Sequence, residues 1–213
     1  LSVSFMDTED LVDATVTWIP THLSVESFVK AAKTLQFWDG LKDSLLMTLI
    51  PAALQTFTLA LAGYGLALYR VPGKRFWLVL AVFIFLIPTQ VTMIPRFLLF
   101  NSYHTIGTIW PVYLISLFGQ GVKSSVFLLI YYNFFKSYPK SMDEAAKIDG
   151  AGAATVFFRI ALPMAKPALV LTYLFSFIWI WNDTTQLPQY STGAVTTLPM
   201  HLQQFVERFN KLY

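Results

Sequence analysis

Cysteine is absent from this chain of 213 residues, which excludes a disulfide framework and any thiolate metal site. Charge is scarce as well: Asp, Glu, Lys and Arg make up 13% of the residues, whereas soluble domains carry about 25%. Hydrophobic residues make up 55%, and the mean hydropathy is +0.55. These values favour a protein of the lipid bilayer over a soluble domain. The net charge of +3 does not indicate nucleic-acid binding.

The sequence signatures of enzymes are also missing. No G-x-x-x-x-G-K-[ST] phosphate loop occurs, because the only Gly-Lys pair, Gly73-Lys74, precedes Arg75 and lacks the upstream glycine. The three histidines stand apart in the sequence, and no nucleophile–base arrangement can be recognised. We therefore expect no catalytic residue, no metal site and no ATPase activity in this chain itself.

Long runs without charge are abundant. Residues 44–69 and 76–95 contain no charged side chain, and residues 109–135 contain only Lys123. A fourth run, 167–182, is uncharged and ends in an aromatic cluster typical of a membrane surface. The runs predict four spanning helices, because only helices or closed barrels satisfy the backbone in lipid and no period-two alternation is present. The predicted fold class is an all-α, polytopic membrane helical bundle.

Lys and Arg are concentrated in two loops, which sets the orientation. Residues 70–75 hold three bases and residues 136–166 hold five, so the positive-inside rule places both loops in the cytoplasm and both chain ends outside. An outer amino terminus with neither an initiator Met nor a signal peptide predicts an internal piece of a longer membrane protein. A complete four-helix protein is the alternative. The predicted domains are an outer segment with an amphipathic helix (1–43), capped by Ser24 or Ser27, a transmembrane domain (44–183) and an outer segment (184–213).

The composition of the second basic loop differs from that of the apolar runs on either side of it. The stretch 143–163 is rich in alanine and charge, and Ser141 with Glu144 forms an S-x-x-E capping box. Gly150 stands where a C′ glycine would end that helix, and a second helix is expected over 151–161, followed by a membrane helix that begins at Pro163 and Pro167. This pattern predicts a helix–turn–helix that presents a small, rigid knob to the groove of a partner. An ordinary amphipathic surface helix is the alternative.

Polar residues at two other places are candidates for lining a pathway. Lys123 follows Phe-Gly-Gln-Gly, which favours a broken helix with Lys123 facing a polar cavity. Alternatively, the helix begins near Gly121 and Lys123 extends outward. Asn182 and Asp183, with Gln186, stand at the outer end of the last apolar run, where they line the mouth of a pathway or cap a helix.

The loop sequence resembles the EAA signature of permease subunits of ABC importers. The matching positions are Glu144, Ala145, Ala146, Asp149, Gly150, Ala151, Phe158, Ile160, Leu162, Pro163 and Pro167. Further stretches, including Trp181, Asn182 and Pro188, are similar to the carbohydrate-uptake branch, near the second permease of maltose and glycerol-phosphate systems. The resemblance covers nearly all of residues 23–206. Members of the family have six spanning helices, so the resemblance implies that the first and the last are absent here.

The resemblance implies a transport role without catalysis. The EAA loop of such permeases, here within 136–166, is a coupling helix that docks in a cleft of a cytoplasmic ATPase. The expected coupling residues are Glu144, Ala145, Ala146, Asp149, Gly150, Ala151, Leu162 and Pro163.

The partners implied are an ATP-binding subunit dimer, a sister permease, an extracytoplasmic solute-binding protein and membrane lipid, with no nucleic acid. The resemblance implies no cofactor in this chain, since ATP and magnesium are bound by the ATPase. It also implies a location in a prokaryotic plasma membrane. An ABC permease for a solute other than a sugar, and a secondary transporter, remain alternatives. The second alternative would need ion-coupling carboxylates inside the spans, and none is found there.

Overall fold

The computed structural model describes residues 2–7, 10, 18–191 and 193–210. Within these ranges the regular structure is helical and contains no β-strand, in agreement with the predicted fold class. Residues 11–17 and 211–213, which belong to the predicted outer segments, lie outside the described residues. A short 3₁₀-helix, Ser2–Phe5, comes first. It is followed by α1 (Glu26–Thr34), α2 (Phe37–Leu68), α3 (Lys74–Leu86), α4 (Thr89–Ser102), α5 (Trp110–Leu117), α6 (Ser124–Lys136), α7 (Lys140–Ile148), α8 (Ala153–Met164), α9 (Lys166–Trp181), α10 (Gln186–Ser191) and α11 (Leu198–Asn210).

The chain divides into two compact units, Leu1–Leu45 with Thr196–Tyr213, and Leu46–Val195. The first unit contains the predicted amphipathic helix as α1. The N-cap position is occupied by Val25, so neither predicted serine caps this helix: the Ser24 hydroxyl accepts the Glu26 backbone N–H at 3.2 Å from one residue earlier, and Ser27 lies inside the helix. In the same unit the Ser44 hydroxyl accepts the backbone N–H of Leu198, the first residue of α11, at 2.8 Å.

Three stretches of the second unit bear on the predicted spans. Helix α2 is long and apolar enough to cross a membrane by itself. The pairs α3–α4 and α8–α9 satisfy the same criterion only when each pair is taken as one span, and they are bent by 100° and 77°. The described residues therefore provide one to three candidate spans by length and composition, against the four predicted.

Two of the predicted spans are divided by local backbone chemistry. In the run 76–95, Ile87 is extended (φ −73°, ψ 123°) because the ring of Pro88 disfavours the helical conformation for the preceding residue. In the run 109–135, α5 ends at Leu117 and α6 begins only at Ser124. The intervening segment, 118–123, is called the helix break below.

Helices α2, α6, α8 and α9 form the core of the second unit. Gly63 of α2 lies against Tyr131 of α6 so closely that a Cβ on Gly63 would be 2.4 Å from the Tyr131 Cβ. The Tyr131 hydroxyl in turn forms a hydrogen bond with Thr172 of α9, and both residues are fully buried. Aromatic and small side chains complete this core: Leu59, Ala60, Tyr64, Phe127, Phe135, Phe157, Ala161, Ala165 and Ala168.

Candidate functional site

Helix α7 carries the first half of the EAA signature, and it begins earlier than the capping box predicts. The helix starts at Lys140, so Ser141 lies within the first turn and not at the cap position. The reason is Pro139, whose carbonyl accepts the N–H of Met142 at 3.2 Å. Proline is already restricted to a φ angle suited to the start of a helix.

Gly150 ends α7 in the way that the sequence predicts. Its φ of +81° lies in the left-handed region, which an L side chain rarely adopts. The N–H of Ala151 donates to the carbonyl of Ala146 at 2.9 Å, which is the 6→1 bond of a Schellman motif. The turn after α7 is therefore held by its own backbone.

The two faces of α7 differ sharply in exposure. Asp143 and Ala146 are 6% and 9% exposed, so this face is buried against the chain itself. Ile148, by contrast, is 86% exposed. Of the two signature alanines only Ala145 is open to a partner. The exposed face and turn together comprise Glu144, Ala145, Ile148, Asp149 and Gly150, and we call them the knob.

A buried hydrogen bond ties α7 to the longest helix. The Tyr64 hydroxyl of α2 donates to Oδ2 of Asp143 at 3.1 Å, and Oδ1 of Asp143 is buried without a partner among the described residues.

Burial, and then the neighbouring Asp143 carboxylate, raise the pKa of Tyr138 to about 12. Tyr138 is therefore a neutral phenol at physiological pH.

Helix α8 continues the signature and contains a π-helical turn, Phe157–Ala161. Val156 and Phe157 are buried and Ile160 is half-buried, and Phe157 belongs to the core of the second unit. Leu162 is half-buried and Pro163 is exposed near the bend at Ala165, where α8 meets α9. The membrane helix therefore begins at Lys166, with Pro167 in its first turn, and Pro163 belongs to the preceding helix.

Lys123 is exposed and stands at the end of the helix break, directly before α6. Lys123 is the N-cap of α6 and has a φ of +55°, a conformation that is uncommon for a residue other than glycine. Its Nζ lies 4.9 Å from the centre of the Phe85 ring of α3, in the range of a cation–π contact.

Gln55 of α2 fixes the shape of the helix break. Its Nε2 donates to the Val122 carbonyl at 2.9 Å and to the Ser124 hydroxyl at 3.0 Å, and the side chain is fully buried. A Cβ on Gly121 would lie 2.3 Å from Oε1 of Gln55, so any other residue at this position would displace the Gln55 side chain. The Gly121 and Gln55 pair holds the backbone immediately before Lys123.

An open cavity of about 890 Å³ lies along the helix break and the α3–α4 bend. Lys123 and Arg96 both line it, together with Gln120 and Gln186. The Arg96 Nη2 donates to the Gln120 carbonyl at 3.4 Å, so the guanidinium connects α4 with the helix break.

Asn182 and Asp183 both take part in helix ends. The Asn182 Nδ2 donates to the Ile178 carbonyl at 2.7 Å, at the end of α9. The Asp183 Oδ1 accepts the N–H groups of Thr185 and Gln186 at 3.0 and 2.9 Å, at the start of α10. Asp183 also lines a smaller cavity of about 40 Å³ next to the helix break.

Two residues of these sites are not singled out by the sequence, whereas a third is. Tyr64 and Gln55 lie in an uncharged run, and their partners are 79 and 69 residues away, so no local pattern relates them. Arg96 does give a signal, because it is the first charge after the run 76–95.

The family model described as the inner membrane component of binding-protein-dependent transport systems matches residues 59–204, more than half of the chain. The diacetylchitobiose uptake system permease protein DasC of Streptomyces coelicolor is 28% identical over 96% of this chain and 73% of its own length. The polygalacturonan/rhamnogalacturonan transport system permease protein YtcP of Bacillus subtilis is 31% identical over 97% of this chain and 70% of its own length. For two other curated relatives, this chain spans only 59% and 54% of their length.

A solved structure shares the fold. The crystal structure of a bacterial ABC transporter involved in the import of the acidic polysaccharide alginate matches 97% of this chain and 70% of that chain, with a TM-score of 0.77 and 21% identity.

Proposed function

Because the chain belongs to the family of inner membrane components of binding-protein-dependent transport systems, we propose that it forms half of the translocation pathway of an ATP-driven importer. The solute is a sugar or oligosaccharide. Members of this family are transport subunits, and the hydrolysis of ATP belongs to a partner. The chain couples to that partner through the knob of the 136–166 loop.

The observation that carries this proposal is the contrast between the two faces of α7. The outward face is small and open, with Ala145 exposed and the Ile148 side chain almost free of contacts within the chain. The inward face is fixed, because Asp143 accepts the hydrogen bond of Tyr64 in α2. A groove that closes on the knob would therefore displace α2 with it, since the connection is rigid and buried.

The partners follow from this arrangement. A cytoplasmic ATPase dimer, which holds ATP and magnesium, receives the knob; a sister permease completes the pathway; and an extracytoplasmic binding protein delivers the solute. The complex lies in a prokaryotic plasma membrane with the knob in the cytoplasm and residues 1–43 and 184–213 outside. ATP binding drives the change of access only if the closed ATPase has a higher affinity for one permease state than for the other.

The names of the relatives support a sugar as the solute. Diacetylchitobiose is a disaccharide, and polygalacturonan and rhamnogalacturonan are polysaccharides. An ABC permease for another kind of solute is the second candidate within the family. A secondary transporter would work without an ATPase, so the following experiment separates it from the importer.

The test is the co-purification of the ATPase with the full-length protein and its sister permease from detergent. Two exposed changes, Glu144→Lys and Ala145→Trp, should each abolish co-purification or reduce solute-stimulated ATP hydrolysis at least about tenfold. The first reverses the charge of the knob, and the second adds bulk where close approach is needed. Both residues are exposed, so the permease itself should fold and retain its sister subunit.

Glu207→Lys is the matched control, because Glu207 is also exposed and lies in α11, far along the chain from the loop. It should leave ATPase binding unchanged. ATPase binding that survives both knob variants, or that is lost equally in Glu207→Lys, contradicts the proposal.

A further inference from the structure

The cavity along the helix break has a strongly biased charge. Lys123 and Arg96 are the charged members of its lining, and both are positive. Neither makes an ion pair with an acid among residues 18–191 and 193–210. Two cations with no acid facing them in the cavity leave a positive potential where the chain is otherwise apolar.

The backbone adds to this positive charge. Helices α4 and α6 both begin at the cavity, with Thr89, Gln90, Ser124 and Ser125 among the lining residues. Neither helix has a side-chain cap hydrogen bond at its N-terminus. The N-terminal ends of helices carry a partial positive charge, and broken helices in transporters place such ends beside anionic groups of the solute.

Both cations make a contact within the chain, and Lys123 is nevertheless an exposed residue. The contact with Phe85 places the Lys123 ammonium over an aromatic ring that itself lines the cavity. Gln55 holds the backbone before Lys123, and the Gln120 carbonyl holds the Arg96 guanidinium. Lys123 also maintains a left-handed φ, a conformation that usually persists where the surrounding structure requires it.

The acid Asp183 is not among the residues that line this cavity. It lines the smaller neighbouring cavity, and its Oδ1 is occupied by the N–H groups of Thr185 and Gln186.

We propose that the larger cavity is a subsite for the negatively charged group of a sugar solute, a carboxylate or a phosphate, with Lys123 and Arg96 as its counter-ions. Its volume, about 890 Å³, lies within the range of ligand sites in proteins. The inference rests on the proposed function for the identity of the solute as a sugar, and it narrows that solute to an anionic one.

The test is calorimetric titration, at low salt, of the purified full-length permease with its sister permease, both with and without the ATPase. Trigalacturonate and its fully methyl-esterified form are the paired probes, because they share a shape and differ in charge. Galactose 1-phosphate replaces the carboxylates by a phosphate. Trigalacturonate or galactose 1-phosphate should bind about tenfold more tightly than the neutral ester, and added salt should reduce that difference.

Variants identify the counter-ions. Lys123→Gln and Arg96→Gln should each weaken binding of the preferred anion by about 5- to 10-fold, as expected for the loss of one charge-assisted hydrogen bond, whereas Lys123→Arg should retain it. Arg75→Gln is the matched control, because Arg75 is exposed in the first turn of α3 and lies outside the cavity lining.

Equal binding of the ester and both anions overturns the inference, as does an equal effect of Arg75→Gln and Lys123→Gln. Loss of anion binding on addition of an anionic phospholipid, with no return at high sugar concentration, would assign the cations to lipid and overturn the inference too.

The importer proposal and the anionic-subsite proposal fail separately. If the ATPase binds through the knob but the charged and neutral sugars bind equally, only the proposal of an anionic subsite is wrong. If the anion binds as expected but no ATPase associates, the importer is wrong.

Discussion

The Tyr64 hydroxyl donates a hydrogen bond of 3.1 Å to Oδ2 of Asp143, and this bond joins α2 to the helix that carries the knob. The two residues are 79 positions apart and are 4% and 6% exposed. The Tyr64 ring also packs against Phe135 and Phe157, with ring centres 5.3 and 5.1 Å away. The bond thus lies in the core of the second unit, next to side chains of α6 and α8.

Removal of this donor should loosen the connection without emptying the core. Tyr64→Phe keeps the ring and leaves the buried Asp143 carboxylate unpaired, so we expect a loss of about 1–3 kcal/mol in unfolding free energy. We also expect solute-stimulated ATP hydrolysis to fall while ATPase binding persists. Thermal unfolding and ATPase assays of the purified complex measure the two effects. Tyr132→Phe, at a half-buried position of α6, is the control. The role of the Tyr64–Asp143 bond is contradicted if Tyr132→Phe lowers the stability and the solute-stimulated ATP hydrolysis as much as Tyr64→Phe does.

The packing of α2 on α6 requires glycine at one position and tolerates alanine two residues later. A Cβ on Gly63 would lie 2.4 Å from the Tyr131 Cβ and 3.0 Å from its backbone carbon, whereas Gly65 has nothing within 4 Å. Gly63→Ala should therefore destabilise the permease by about 1–3 kcal/mol, and Gly65→Ala should leave it unchanged or slightly more stable. The melting temperatures in detergent provide the measurement. A Gly65→Ala variant that is destabilised as much as Gly63→Ala would refute the packing shown here.

The helix break should depend on Gln55. Gln55→Leu removes the hydrogen bonds to the Val122 carbonyl and the Ser124 hydroxyl, and leaves both acceptors in an apolar setting. We expect a loss of about 1–3 kcal/mol in stability and a misplaced Lys123, with transport in proteoliposomes reduced more than ATPase binding. Gly121→Ala should produce a similar defect, because its Cβ would meet Gln55 Oε1 at 2.3 Å. Gly152→Ala, which has open space around it, is the control. Normal transport by both Gln55→Leu and Gly121→Ala would show that the break needs no such support.

Tyr138 should make the folded protein sensitive to alkaline pH. Burial, and then Asp143, raise its pKa from the ordinary 10.0 to about 12, so the folded state retains a proton that the unfolded state loses. The stabilisation is fully present below pH 10 and is lost as the pH rises through 12. Chemical unfolding over this interval should therefore show a shallower loss of stability for Tyr138→Phe than for the unchanged chain. Parallel pH profiles of the two proteins would mean that Tyr138 titrates normally.

Local signals in the sequence were sufficient to predict where α7 ends. Gly150 ends α7 as predicted because a left-handed C′ position is a local requirement that glycine meets. The break before Lys123 was also indicated by the two preceding glycines, Gly119 and Gly121, and Gly119 has a left-handed φ of +64°. The cap at Ser141 was wrong because Pro139, two residues earlier, sets the start of the helix.

The connections between helices could not be predicted in the same way. The Tyr64–Asp143 and Gln55–Ser124 contacts join residues 79 and 69 positions apart, and a single sequence carries no information on such pairs. The 100° bend between α3 and α4 was missed although Pro88 marks it, because proline is tolerated within many membrane helices. The burial of Ala146 likewise depends on tertiary packing, which the composition of α7 does not reveal.

The most direct test of the coupling role uses the absence of cysteine from the chain. In a full-length protein from which any cysteine outside these 213 residues has been removed, Ile148→Cys places a single thiol at the exposed tip of α7, and Val79→Cys places one at an exposed position of α3. Each variant of the full-length protein, in complex with its partners, is labelled with benzophenone maleimide and irradiated. We expect an adduct with the ATPase from Ile148→Cys alone, in a yield that changes on addition of ATP. No adduct from Ile148→Cys, or an equal yield from Val79→Cys, would contradict the account that this loop is the contact with the ATPase.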